Sequence, residues 1–203
     1  MEAEPEAEEA RILPLFPLPN LWLFPSVVLP LHIFEPRYRQ MIEDSLDGPG
    51  RIVLGTIVAG HEGESAGAPP IHPLAGLGEI GRHEKLADGR YNILLVGLAR
   101  VFVRESASDR LYRKVETRHA RELPVPPARA AALRLRLLAA LKQRTPDLPE
   151  IPAGFSLSHL ADMLLLRIPL PHAELNAHYA ELDVERRALA LLEEHDTAPP
   201  ASE

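Results

Sequence analysis

The chain has 203 residues, 46% hydrophobic and 25% charged, with a formal net charge of −7. That is enough to bury a real core and ordinary for a water-exposed globular fold. It has no cysteine, which excludes disulfides, thiolate nucleophiles and cysteine-held zinc or iron–sulfur sites and fits a reducing cytoplasm. The acidic balance argues against a duplex nucleic-acid binder, which ordinarily shows a basic face.

Residues 1–10 carry five glutamates and read as a disordered acidic tail, without the positive start of a secretory signal. From Ile12 to Phe34 there is no charged residue, yet five prolines interrupt the run. Such density of apolar residues demands burial. The prolines forbid a helix and, in a bilayer, would leave backbone groups unpaired, so no membrane span is expected. Ile12–Leu18 and Val27–Phe34 are predicted strands, joined through Trp22 and Phe24. Pro36 then opens a short helix to Leu46, where Tyr38, Met41, Ile42 and Leu46 make one apolar stripe. Arg51–Ala59 reads as a buried strand and Gly60–Pro73 as a loop. Leu77–Leu86 and Arg90–Ser106 form a hairpin through Asp88-Gly89, the second strand kinked near Gly97, and Leu111–Arg121 is the last strand. About six strands and one helix in mostly antiparallel order argue for a small β-barrel.

Composition changes at Leu123-Pro124-Val125-Pro126-Pro127, after which helical periods take over. Ala130, Leu133, Leu137, Leu138 and Leu141 form one stripe, with Arg134, Arg136, Lys142 and Arg144 outside it. Ser156 or Ser158 caps a further helix to about Ile168, His172 starts another, and Asp183 caps the last with Glu185 in its first turn. The predicted fold class is α+β: a six-stranded barrel with one short helix over residues 11–122, a helical bundle over 123–195, and a tail at 196–203.

Two short motifs have unsuitable surroundings. Gly76-Leu77-Gly78-Glu79-Ile80-Gly81 matches the dinucleotide pattern but runs into a strand, not a helix. Gly63-Glu64-Ser65-Ala66-Gly67 matches a nucleophile elbow but is followed at once by prolines. The nine histidines make no metal-binding pair on a helix, and His32 reads as a hydrogen-bonded structural residue. No acid/base, nucleophile, metal or cofactor constellation emerges, so the chain is expected to be no enzyme and to need no cofactor.

The segment from Pro14 to Leu46 resembles the start of the Lon protease N-terminal domain family. The likeness continues in order through Gly78-Glu79-Ile80-Gly81, Leu95 to Val101, Leu160-Ala161-Asp162 and Leu182 to Leu189, covering about 185 residues from Leu13 to His195. The resemblance implies a PUA-like barrel followed by a helical bundle. It also implies a stand-alone substrate-binding module that recruits exposed or unfolded polypeptide segments, in company with a protease or chaperone system. No G-x-x-x-x-G-K-[ST] phosphate loop occurs in the sequence, so the family's ATPase chemistry is not carried here. Candidate polypeptide-binding residues are the aromatics Trp22, Phe24, Tyr38 and Phe102, with Arg37 and Arg100 beside them. Glu35, Arg37 and Arg39 are read as an ion-pair set at the helix start. Arg100, Phe102 and Arg104 are read as a row on one strand face, a solvated or bundle-facing surface with, as the other reading, a grip for an acidic peptide or single-stranded RNA. The alternative reading is an RNA-binding PUA-like protein.

Overall fold

A computed structural model describes residues 10–64 and 67–199. Most of the acidic tail (residues 1–9), Ser65 of the Gly-x-Ser-x-Gly match and residues 200–203 lie outside the described residues. Contacts divide the chain into two compact units, one ending at Ala120 and one beginning at Arg121.

The first unit holds six strands: β1 (Arg11–Leu18), β2 (Val28–Ile33), β3 (Arg51–Thr56), β4 (Leu74–Lys85), β5 (Tyr91–Ser106) and β6 (Arg113–His119). They pair in the order β2-β5-β4-β3-β1-β6, and β6 pairs again with β5. Five strands therefore close a circuit, and among the described residues β2 pairs with β5 alone. All the pairings are antiparallel except β1 with β3, which is parallel.

Alternation sorts the side chains into two buried clusters. Leu15, Val53, Ala75, Val101 and Val115, one from each strand of the circuit, pack together. The opposite sides of the same strands supply Phe16, Ile52, Leu54, Ile93 and Leu95 to a second cluster. Helix α1 (Pro36–Leu46) adds Tyr38, Met41 and Ile42 to that cluster. Pro36 lies in the first turn of α1, where a missing N–H costs nothing.

The dinucleotide-like glycines have a packing role. Gly76 and its neighbours lie inside β4, and the segment carrying Leu23 and Phe24 crosses the sheet there. A Cβ on Gly76 would come within 2.4 Å of the Leu23 carbonyl oxygen, and one on Gly97 within 2.0 Å of the Phe24 carbonyl oxygen. The crossing is fixed by backbone bonds on both sides of Gly97: Ser26 N–H donates to its carbonyl at 2.8 Å, and its N–H donates to Val27 at 2.8 Å. Strand β4 begins at Leu74, three residues before the expected start, and β6 begins at Arg113, two residues after its own.

The second unit holds α2 (Pro127–Arg144), α3 (Leu157–Leu165), α4 (His172–Ala180) and α5 (Val184–Thr197). The last helix runs two residues into the expected tail. Leu133, Leu137, Leu141, Leu160, Leu164, Ala188 and Leu191 are buried. Ser156 accepts from the His159 N–H, and Asp183 accepts from Glu185 and Arg186, so both helices start on the capping residues their sequences offer. Arg144, expected outside, is instead buried. Its guanidinium donates to His195 Nδ1 at 2.9 Å and to the carbonyls of His195 and Pro199 at 3.0 and 2.9 Å, a cation at the carboxyl end of α5.

Candidate polypeptide-binding face

Of the candidate residues, three aromatics are part of the protein's own core. Trp22, Phe24 and Tyr38 are buried, with Tyr38 against Phe16 at a 4.6 Å ring separation. Burial holds the Tyr38 hydroxyl above its ordinary pKa. Arg37 is half-buried, bonded to Glu35 at 2.8 Å and lying 4.5 Å from the Tyr38 ring centroid. The expected Glu35–Arg37 pair is therefore formed, while the Arg39 guanidinium lies beside Gly89 in the hairpin turn.

Arg100 is 2% exposed, its guanidinium 5.5 Å from the Phe24 ring centroid. The row Arg100–Phe102–Arg104 is broken, because the Leu23–Phe24 crossing covers its first member. Phe102, 37% exposed, stays at the surface. The structure thus brings together Arg37 with Tyr38 and Arg100 with Phe24, and leaves Phe102 apart from both pairs.

A different apolar face appears beside β2. Along this strand Val28, Pro30 and His32 point outward, and Phe34 follows just past its end, with Val28 50% and Phe34 60% exposed. Register sets Val28 opposite Val96, Pro30 opposite Leu94 and His32 opposite Asn92 on β5. Leu94 and Asn92 face Arg82 and Glu84 on β4 in turn. A cavity of about 390 Å³ lies across these rows, lined by Pro30, Leu31, His32, Arg82, His83 and Leu94, among others.

One wall of the cavity is polar and braced. His32 Nδ1 and Asn92 Oδ1 are 2.8 Å apart, and Arg90 reaches His32 Nε2 at 3.3 Å while ion-pairing with Asp88 at 2.6 Å. The hydrogen bonding expected of His32 is present. The floor is aliphatic: Pro30, Leu31 and Leu94. An apolar floor, a hydrogen-bonded rim and an unpaired strand edge together suit an extended polypeptide that buries alternate side chains. Sequence reasoning missed this face because it ranked aromatics above aliphatics. The alternation Val28-x-Pro30-x-His32-x-Phe34 was the available signal.

A second cavity, about 410 Å³, includes Arg37, Tyr38, Tyr112, Arg110 and Arg113. Its cations are already engaged: Arg37 by Glu35, Arg110 by Asp44 at 3.4 Å, and Arg113 by Glu105. Among the described residues no group of three or more His, Cys, Asp or Glu could hold a metal ion, and no helix is long and apolar enough to cross a membrane.

Among the described residues a six-stranded mixed sheet with five helices defines an α+β protein. The profile of the family described as the ATP-dependent protease La (LON) substrate-binding domain matches residues 12–196, and the chain belongs to that family. Lon protease 2 of Syntrophobacter fumaroxidans is 29% identical over 193 residues, covering 94% of this chain and 23% of that protein. Lon protease 2 of Myxococcus xanthus is 26% identical over 197 residues, covering 90% of this chain and 23% of the relative. The chain thus spans under a quarter of the length of these relatives. In fold it is similar to the Lon N-terminal domain protein from Xanthomonas campestris (TM-score 0.67, 21% identity, 93% of this chain and 99% of that one). It is also similar to the N-terminal domain of Mycobacterium avium complex Lon protease (TM-score 0.67, 16% identity, 92% and 99%). The match is to a substrate-binding domain, so an enzymatic role is not indicated, and the RNA-binding alternative gains no support.

Proposed function

We propose that this chain is a non-enzymatic polypeptide-binding module that holds exposed apolar segments of unfolded proteins, in the cytoplasm and in company with a protease or chaperone system. The observation carrying this reading is the exposed apolar face of Val28, Pro30, Leu94 and Phe34 beside a cavity of about 390 Å³, in a chain of the substrate-binding family. Burial of apolar side chains supplies the affinity, at ~25 cal/mol per Å² before ordering costs. Pro30 removes one N–H donor from β2, so side-chain burial outweighs strand addition as the mode of capture.

In the same reading the closed circuit of five strands is a PUA-like barrel with β2 as its sixth strand, filled by the cluster around Leu15 and Val101. Residues 11–122 then form the barrel subdomain and residues 123–195 a helical bundle. The candidate anchors move with it: aliphatic residues on β2 and β5 replace Trp22, Phe24 and Tyr38.

Fluorescence anisotropy with a labelled, permanently unfolded protein tests the assignment. Leu94→Asp places a carboxylate on the cavity floor at an already exposed position. It is expected to weaken binding by about tenfold or more, roughly 1.4 kcal/mol, while leaving the circular dichroism spectrum and melting temperature close to wild type. Unchanged affinity in Leu94→Asp and Val28→Asp would remove this face from the function.

A further inference from the structure

A second face, on the outer side of β5, β6 and β1, carries different chemistry. Phe102 on β5 is opposite Arg118 on β6, and Arg104 is opposite Glu116. Glu116 in turn is opposite Ile12 on β1, which is 59% exposed. The Arg118 guanidinium lies 5.6 Å from the Phe102 ring centroid. Arg104, the more exposed partner, ion-pairs with Glu116. Phe102, Arg104, Glu116 and Arg118 line a cavity of about 330 Å³ that also touches Ala10, Val103 and Thr117, and Ile12 is the exposed register partner of Glu116 outside that lining. Two guanidiniums face one carboxylate there, in a chain of net charge −7.

We propose that this face binds an extended acidic polypeptide segment carrying an apolar residue. The apolar side chain packs on Phe102 and Ile12, and carboxylates reach Arg118 and Arg104. Among the described residues Arg118 lies over the ring and no carboxylate pairs with it, which leaves its N–H groups open to a bidentate partner. Glu116 competes for Arg104, which sets the face's affinity below what two free arginines would give.

The same carboxylate disfavours RNA. A nucleic-acid backbone carries a charge at every step and would seat phosphate against Glu116, whereas a polypeptide carries acid only where its sequence does. Among the described residues that line the cavity Phe102 is the one aromatic, without the successive rings that stack single-stranded bases. The inference does not rest on the apolar face at β2, and the two fail independently.

The probe is a labelled synthetic peptide of glutamates around one leucine, with glutamine and lysine counterparts and a short single-stranded RNA, titrated into the full chain. The acidic peptide is expected to bind, the glutamine and lysine peptides and the RNA at least tenfold more weakly. Arg118→Gln should weaken acidic-peptide binding about three- to tenfold, and Glu116→Gln should strengthen it by a similar factor, opposite signs that a general loss of packing cannot produce. Affinity should fall as salt rises from 0.05 to about 0.5 M. Leu94→Asp should leave it unchanged. Equal binding of the acidic and glutamine peptides, stronger binding of RNA, or a Glu116→Gln variant no tighter than wild type would overturn the proposal.

Discussion

The hydroxyl of Tyr112 donates to Asp44 at 2.9 Å from a buried ring. Burial, followed by that carboxylate, pushes its pKa from 10.0 up to about 12. The fold therefore favours the protonated phenol. Below pH 10 this preference is fully present. Between 10 and about 12 the unfolded chain releases the proton while the folded chain keeps it, so stability falls as pH rises through that window. Absorbance of tyrosinate against pH should show Tyr112 and Tyr38 titrating late, with the Tyr112 component lost in Tyr112→Phe, and a titration of every tyrosine near 10 would contradict this. Arg187 poses the opposite problem of a buried charge. It is 0% exposed, and its guanidinium donates to Glu122 at 2.7 Å, Ser158 at 2.8 Å and the Glu181 carbonyl at 2.6 Å, with Asp162 at 3.4 Å. Arg187→Met would take the buried cation away from Asp162 and Glu122. A loss of ~3–5 kcal/mol is expected in urea denaturation, against less than ~0.5 kcal/mol for exposed Arg136→Met. Its burial was not legible. An arginine one position before Ala188 reads as solvated until the partners on three other segments are known.

At the scale of elements, prolines and glycines were informative because each removes a conformational option. Pro36 starts α1, Asp88-Gly89 turns β4 into β5 with Gly89 at φ +80°, and Asp183 caps α5. Strand β4 was read three residues short because Ala75-Gly76 interrupts an apolar run and looks like loop. Only the crossing of Leu23 over that point explains a glycine inside a strand. The same crossing hides Arg100, so alternation along β5 named the right row parity but counted as exposed one member, Arg100, that is buried. Arg118 could have been noticed in the alternation Lys114-x-Glu116-x-Arg118, but pairing it with Phe102 requires the β5–β6 register. The crossing itself is testable. Gly97→Ala sets a methyl carbon 2.0 Å from the Phe24 carbonyl oxygen, closer than any packing tolerates. Either the Leu23–Phe24 segment shifts or β5 bends, and ~2–4 kcal/mol of stability is expected to go. A Gly60→Ala change, where no atom lies within 4 Å of the added carbon but φ is +89°, isolates the separate cost of backbone strain at ~1 kcal/mol. Thermal melts that rank Gly60→Ala as the worse of the two would show that the crossing is loose.

Over the whole molecule the two faces separate by the force each uses. The chain carries a net charge of −7, so a long-range field repels acidic segments and leaves neutral apolar ones unaffected. On the proposed function the β2 face would hold its ligand by removing apolar surface from water, which is nearly independent of salt and lowers heat capacity on binding. The Phe102–Arg118 face works by ion pairing, which salt screens within about a Debye length of 8–10 Å at ordinary ionic strength. A polypeptide with both an apolar stretch and an acidic stretch should therefore show two components in calorimetry. One has a negative heat-capacity change, survives 0.5 M salt within about twofold, and is removed by Leu94→Asp. The other is lost in the same salt and in Arg118→Gln. Each variant should delete its own component and spare the other, because Leu94 and Arg118 lie on different strands with no shared partner and their effects add. If either substitution abolished both components, one continuous surface would be at work, and the division of the β unit into an apolar face and a basic aromatic face would have to be abandoned.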